Sequence, residues 1–226
     1  MSKKTTLKAA CALAIITLTG CKIEMSSDVP VSALLADDIK TGTAELYVEV
    51  PSCDDYEDSR KPSKSLIDAK NQISEIFVDS QFKECFKKKF DSIASFTLPV
   101  AYGPDSKVNK DTPQVRVLYN EKNYVYFDLG SGLKAKINGA KNKPSISGGF
   151  SPSDVSIFIN IVNDTGKDIK ANYASTYVAG TPIIYADGLV LPKSKNTVLK
   201  LSDVSTSVIF DSSQSNHAWF MSNLEK

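Results

Sequence analysis

The sequence predicts an α+β region over residues 43–138, an antiparallel sheet with two helices, followed by an all-β, sandwich-like region over residues 153–226. Three observations predict this. Apolar residues recur at helical spacing between Leu66 and Ile93, but alternate with period two on either side of that stretch. Residues 139–152 concentrate Gly, Pro, Ser and Lys, the composition of a linker. Beyond them, short apolar runs are separated by turn residues at regular intervals, the pattern of a small sandwich.

Residues 1–20 read as a secretory signal. Lys3, Lys4 and Lys8 form a positive start without an acid, and Ala9 to Leu18 form an apolar run. That run is too short to span a bilayer, which takes roughly 20 apolar residues. It ends in Leu18-Thr19-Gly20-Cys21, and here the chain resembles bacterial lipoproteins, whose lipobox has an aliphatic residue, a small residue, Gly or Ala, and Cys. The resemblance covers about a tenth of the chain and implies nothing about the fold. It implies that Cys21 receives a diacylglyceryl group, that residues 1–20 are removed, and that the new amine is acylated. Two lipid signals already suffice for stable anchoring. In such lipoproteins an Asp after the Cys favours the inner membrane; Lys22 stands there, which implies the outer membrane.

Residues 21–42 read as the lipidated Cys and a solvated tether. Thr43 to Val50 alternates as a strand, with Ala44, Leu46, Val48 and Val50 on one face, and Pro51 stops it. Cys53 to Asp58 carries four acids but lacks the alternating pattern of a calcium loop, so it reads as a solvated turn. Ser63 or Ser65 caps a first helix through Leu66, Ile73 and Ile76. Phe82, Cys85, Phe86, Phe90 and Ile93 read as the stripe of a second, with Lys83, Lys87 and Lys88 facing away. Ser95–Tyr102, Gln114–Tyr119, Tyr124–Leu129 and Leu133–Ile137 read as strands, the middle two joined by the loop 120–123. With Tyr119 opposite Tyr124, the residues Tyr119, Tyr124 and Tyr126 share one face and form a candidate recognition surface. In the C-terminal region Val155–Val162 reads as a strand buried on both faces. Ala186-Asp187-Gly188 reads as a hairpin turn, and Ser207–Phe210 and Ala218–Met221 as closing strands.

Composition and cysteine count narrow the chemistry. Lys+Arg total 27 against 26 Asp+Glu, with two Arg and one His, so nothing electrostatic points to nucleic acid. Loss of residues 1–20 removes three Lys and no acid, leaving 24 basic and 26 acidic side chains. A slightly acidic body has no polybasic patch, so the lipid should hold the membrane. Of four Cys, Cys11 leaves with the signal and Cys21 is lipidated. Cys53 and Cys85 remain, and in an oxidising compartment a lone pair bridges. No metal site is expected, because neither has a neighbouring Cys or His.

No catalytic residues and no cofactor besides the covalent lipid emerge. There is no G-x-S-x-G, no H-E-x-x-H and no phosphate loop, and His217 reads as a surface residue. The function expected is a non-catalytic binding or scaffolding module of the cell envelope, partnered by the membrane and by an envelope protein or glycan. One version is an exclusion or host-modifying lipoprotein carried by a phage or plasmid. The alternative is a membrane-tethered hydrolase acting on peptidoglycan or glycan through paired carboxylates.

Overall fold

A computed structural model describes residues 22–141, 154–211 and 217–224. In chain order its elements are β1 (Ile23–Pro30), α1 (Val31–Leu34), β2 (Lys40–Val50), α2 (Lys64–Ile76), β3 (Gln81–Lys88), β4 (Asp91–Pro104), β5 (Val115–Tyr119) and β6 (Tyr124–Leu129). They continue with α3 (Ser131–Lys141), β7 (Val155–Val162), β8 (Ile169–Val178), β9 (Thr181–Leu191), β10 (Asn196–Leu201), α4 (Asp203–Phe210) and β11 (Trp219–Ser222).

The protein is mostly β and closes into a nine-strand barrel, which corrects the expected α+β region followed by a sandwich. The ring runs β1-β2-β4-β5-β6-β11-β8-β10-β7 and returns to β1. Strands from both halves of the chain interleave: β7 lies parallel to β1, and β11 joins β6 to β8. Two units with separate cores give way to one continuous apolar cluster, to which both halves and all four helices contribute. Closure removes the open edges that two separate small sheets would each expose. Among the described residues only β3, on β4, and β9, on β8, lie off the ring.

The alternating faces explain the ring. Ala44, Leu46, Val48 and Val50 on β2 are buried as their period-two spacing requires, and Ala94, Phe96, Leu98 and Val100 on β4 continue the wall. Val155, Ile157, Ile159 and Ile161 do the same on β7, whose other face is only half-buried; the expectation of a strand buried on both faces is corrected. Ser63 caps α2, its hydroxyl accepting from the Leu66 N–H at 3.1 Å, as expected.

Five local expectations are overturned. Residues 23–30 are not tether but β1, in the wall between β2 and β7. Their alternating Met25, Ser27 and Val29 are buried, and Ser27 Oγ meets the Tyr102 hydroxyl at 2.8 Å. Gly42 admits that tyrosine, since a Cβ there would lie 2.8 Å from its ring. The expected second helix is the hairpin β3–β4, turned at Lys89, whose φ is 61°. Helical spacing gave way to ladder pairing and to edge-on contacts of Phe82 with Phe96 and Phe86 with Tyr47.

Leu133–Ile137 is not a strand but part of α3, with Leu133 and Ile137 buried one turn apart. Ser207–Phe210 likewise belongs to a helix, α4, capped by Ser202, whose Oγ accepts from the Ser205 N–H at 3.1 Å. The C-terminal hairpin does not turn at Ala186-Asp187-Gly188. That tripeptide lies within β9, where Asp187 and Gly188 form a bulge opposite Asn172 of β8, and the chain reverses at Ala179-Gly180. The expected linker lies outside the described residues from 142 onward, and residues 139–141 belong to α3.

Inside the barrel, Tyr173 is 1% exposed and its hydroxyl has no hydrogen-bond partner among the described residues. Burial pushes its pKa well above the usual tyrosine value, and burial together with Asp105 does the same to Tyr126. An unpaired buried hydroxyl costs about 1–3 kcal/mol of desolvation. Tyr173→Phe is therefore expected to leave stability unchanged or raise it by about 1 kcal/mol in urea unfolding. Both tyrosines stay protonated in the folded chain to higher pH than in the unfolded one. Stability should thus be insensitive to their titration below the unfolded value of 10.0 and fall as pH rises above it. Tyr173→Phe should lessen that alkaline fall; an unchanged slope would count against it.

Candidate functional site

The structure distributes the residues singled out in the sequence over three places. Cys21 lies outside the described residues; its neighbour Lys22 is held at the start of β1, its carbonyl accepting from the Glu49 N–H at 3.0 Å. Cys53 and Cys85 form a disulfide with their Cα atoms 5.6 Å apart. Cys85 sits on strand β3 rather than on a helix, so the bond ties the acidic loop after β2 to the barrel's outer layer.

The three tyrosines do not share a face. Tyr119 is paired with Val125, not opposite Tyr124, because the turn uses three residues, Glu121 to Asn123. Asn120 closes it, its N–H donating to the Tyr124 carbonyl at 3.0 Å, and Asn123 takes the left-handed conformation at φ 59°. One residue of slip moves a whole side-chain set to the other face. Tyr119 therefore packs against the core with Val115 and Val117, while Tyr124 and Tyr126 point outward.

Outside the wall, Tyr126 is buried under His217, their rings stacked at 4.1 Å, and its hydroxyl donates to Asp105 Oδ2 at 3.0 Å. Tyr124 packs on Trp219 at 5.0 Å. Beside them Asp128 is bracketed by Arg116 and Lys134, each at 3.4 Å. Both carboxylates of this cluster are thus engaged, one by a tyrosine and one by two cations. The arrangement latches β6 to its surroundings instead of offering a poised acid and base. No group of three metal-ligating side chains occurs among the described residues.

The surface that sequence reasoning missed is the β8–β9 hairpin. Ala179 and Gly180 both have positive φ, 47° and 85°, the two-residue turn that matches strand twist. β8 spends one edge on β11 and β10 and the other on β9. The outer edge of β9 pairs with no strand among the described residues. Along this edge Ile184 is 93% exposed and Tyr185 60%, with Leu189 and Val190 also exposed. Ile184 shares its face with Pro182 and Tyr177, and through Tyr177 opposite Lys200 with exposed Val198. Natural sheets usually blunt such an edge with charge or shortness; β9 has eleven residues and one charge, Asp187. The signal was present in the sequence as the apolar set Ile183, Ile184, Tyr185, Leu189 and Val190. Alternation alone cannot say that a strand ends up outside the ring.

A cavity of about 360 Å³ lies between α2 and α3, floored by Leu98 and Val115 of the wall. Its walls are chiefly apolar, and Gln114 and Lys136 supply polar groups. Gly130 lets Gln114 lie close beside it: a Cβ there would be 2.2 Å from Gln114 Oε1, and the glutamine side chain would have to move. No helix among the described residues is long and apolar enough to cross a membrane.

Residues 23–224 match the model of a family described as a domain of unknown function, DUF7424. No curated protein and no solved structure matches the chain.

Proposed function

We propose that this chain, which belongs to the DUF7424 family, is a lipid-anchored protein of the bacterial outer membrane that acts as a non-catalytic binding or scaffolding module. The observation that carries the binding role is the apolar outer edge of β9, which pairs with no strand among the described residues. An extended segment of an envelope protein adding to that edge would pair its backbone with β9 and cover Ile184 and Tyr185. Main-chain pairing supplies affinity there, and the side chains on alternate positions supply selectivity. The lipobox Leu18-Thr19-Gly20-Cys21 supports the anchor.

In-cell photo-crosslinking from position 185 tests the edge. The expected result is a discrete crosslinked envelope protein from that position and none from position 122, on the β5–β6 turn. Adding Ile184→Asp should abolish the product while leaving the melting temperature within a few degrees, because that side chain is exposed. No product from position 185, or a product that survives Ile184→Asp, would overturn the binding role. The anchor is tested separately: Cys21→Ser should leave an uncleaved precursor that no longer takes up labelled palmitate.

A further inference from the structure

We propose that the barrel end carrying the β3–β4 turn rests on the bilayer, with Phe90 and Tyr56 seated in the membrane interface. This deepens the anchor reading of Cys21 and rests on it. The chain enters the barrel at this end. Ile23 pairs with Val48, Glu49 with Ile93, and Ile93 with Phe86, so Lys22 lies at nearly the same level of the sheet as the last residues of β3. Only Lys22 separates Cys21 from β1. Acyl chains on Cys21 would therefore hold this end against the lipid surface, with no spacer to lift it away.

The turn reaches past that level. Lys88 pairs with Asp91, and between them Lys89 and Phe90 reverse the chain, with Phe90 102% exposed. Tyr56 is 103% exposed, in the loop that the Cys53–Cys85 bond ties to β3. The two most exposed large apolar side chains described thus lie at the end where the anchor leaves. Tyr56 suits the headgroup level, its ring against lipid and its hydroxyl wet, and the Phe90 ring gains by apolar burial at the acyl boundary. Charge decides how they are held. Lys87, Lys88 and Lys89 flank Phe90, but Asp54, Asp55 and Glu57 stand in the Tyr56 loop, and Asp58 is already paired with Arg60 and Lys61. The charges offset one another, so ring insertion rather than attraction to anionic lipid seats this end, and salt should change it little.

The test uses the full acylated chain in phosphatidylcholine vesicles whose acyl chains are brominated near the headgroup. Trp219→Phe removes the single native tryptophan, and Phe90→Trp or Lys122→Trp supplies a reporter. Position 122 follows Tyr119, which pairs with Pro104 at the other end of β4. The 14 residues of β4 put roughly 40 Å of strand between the two reporters. With protein floating on the vesicles, the Phe90→Trp reporter should lose about half its emission and shift to the blue, in low and in high salt, while the Lys122→Trp reporter is unquenched. Flotation with equal quenching of the two reporters, or with none at position 90, would overturn the seated tip while leaving the anchor intact. Failure to float would overturn the anchor reading and the tip with it.

Discussion

Replacing both Cys53 and Cys85 by Ser is expected to lower the unfolding free energy by roughly 3–4 kcal/mol. The bond closes a loop with a sequence separation of 32 residues, and cross-linking removes that loop's freedom from the unfolded chain. The stapled segment needs it. The loop from Cys53 to Arg60 is held by one isolated bridge, Asp54 with Pro62, and by short-range turns within its own acids. β3 lies off the ring and, among the described residues, pairs with β4 alone, with most of its side chains exposed. Without the bond, α2 stays tied to the wall by Leu66, Ile73 and Ile76, but β3 keeps only its ladder with β4 and exposed contacts such as Lys70 over Phe82 and Lys83 with Glu45. Urea unfolding of the double Ser variant, compared with the oxidised protein, measures the loss. Amide exchange should locate it, rising in β3 and the loop before the ring. A loss below about 1 kcal/mol would show that the native contacts hold these segments unaided.

Phe220→Ala is expected to cost about 3–5 kcal/mol, the usual range for emptying a fully buried aromatic site. β11 has four residues, yet it is the strand that joins β6 to β8, and Phe220 is 0% exposed within it. The cavity left by the ring would open between strands on both sides, and so short a strand has little ladder to compensate. A cost of this size is a large share of the 5–15 kcal/mol that holds an ordinary domain folded. Val204→Ala, on the exposed side of α4, provides the comparison and should change stability by less than about 0.5 kcal/mol. An effect of Phe220→Ala as small as that of Val204→Ala would mean that β11 does not close the barrel.

The cap of α2, the alternating faces of β2 and the Cys53–Cys85 pairing were legible in the sequence because each depends on neighbours in the chain or on counting. A serine that caps its own helix needs only residues 63 to 66, and Cys53 and Cys85, once the lipobox resemblance sets Cys11 and Cys21 aside, have one partner each. What the sequence could not decide is what lies beside each strand. Residues 23–30 are polar enough to look like a tether until β2 and β7 cover them. Phe82, Cys85 and Phe86 fit a helical stripe until β4 offers a ladder. The side-chain face of Tyr119 hangs on one residue of turn geometry at Asn123. Local pattern sets which side chains want burial, and the sequence by itself determined that much. Ring closure and the register of its pairs depend on contacts between residues more than ninety apart, such as Ile23 with Val155, Tyr126 with Trp219 and Asn160 with Asp28, whose partner periodicity cannot name. Only the tertiary structure decided those.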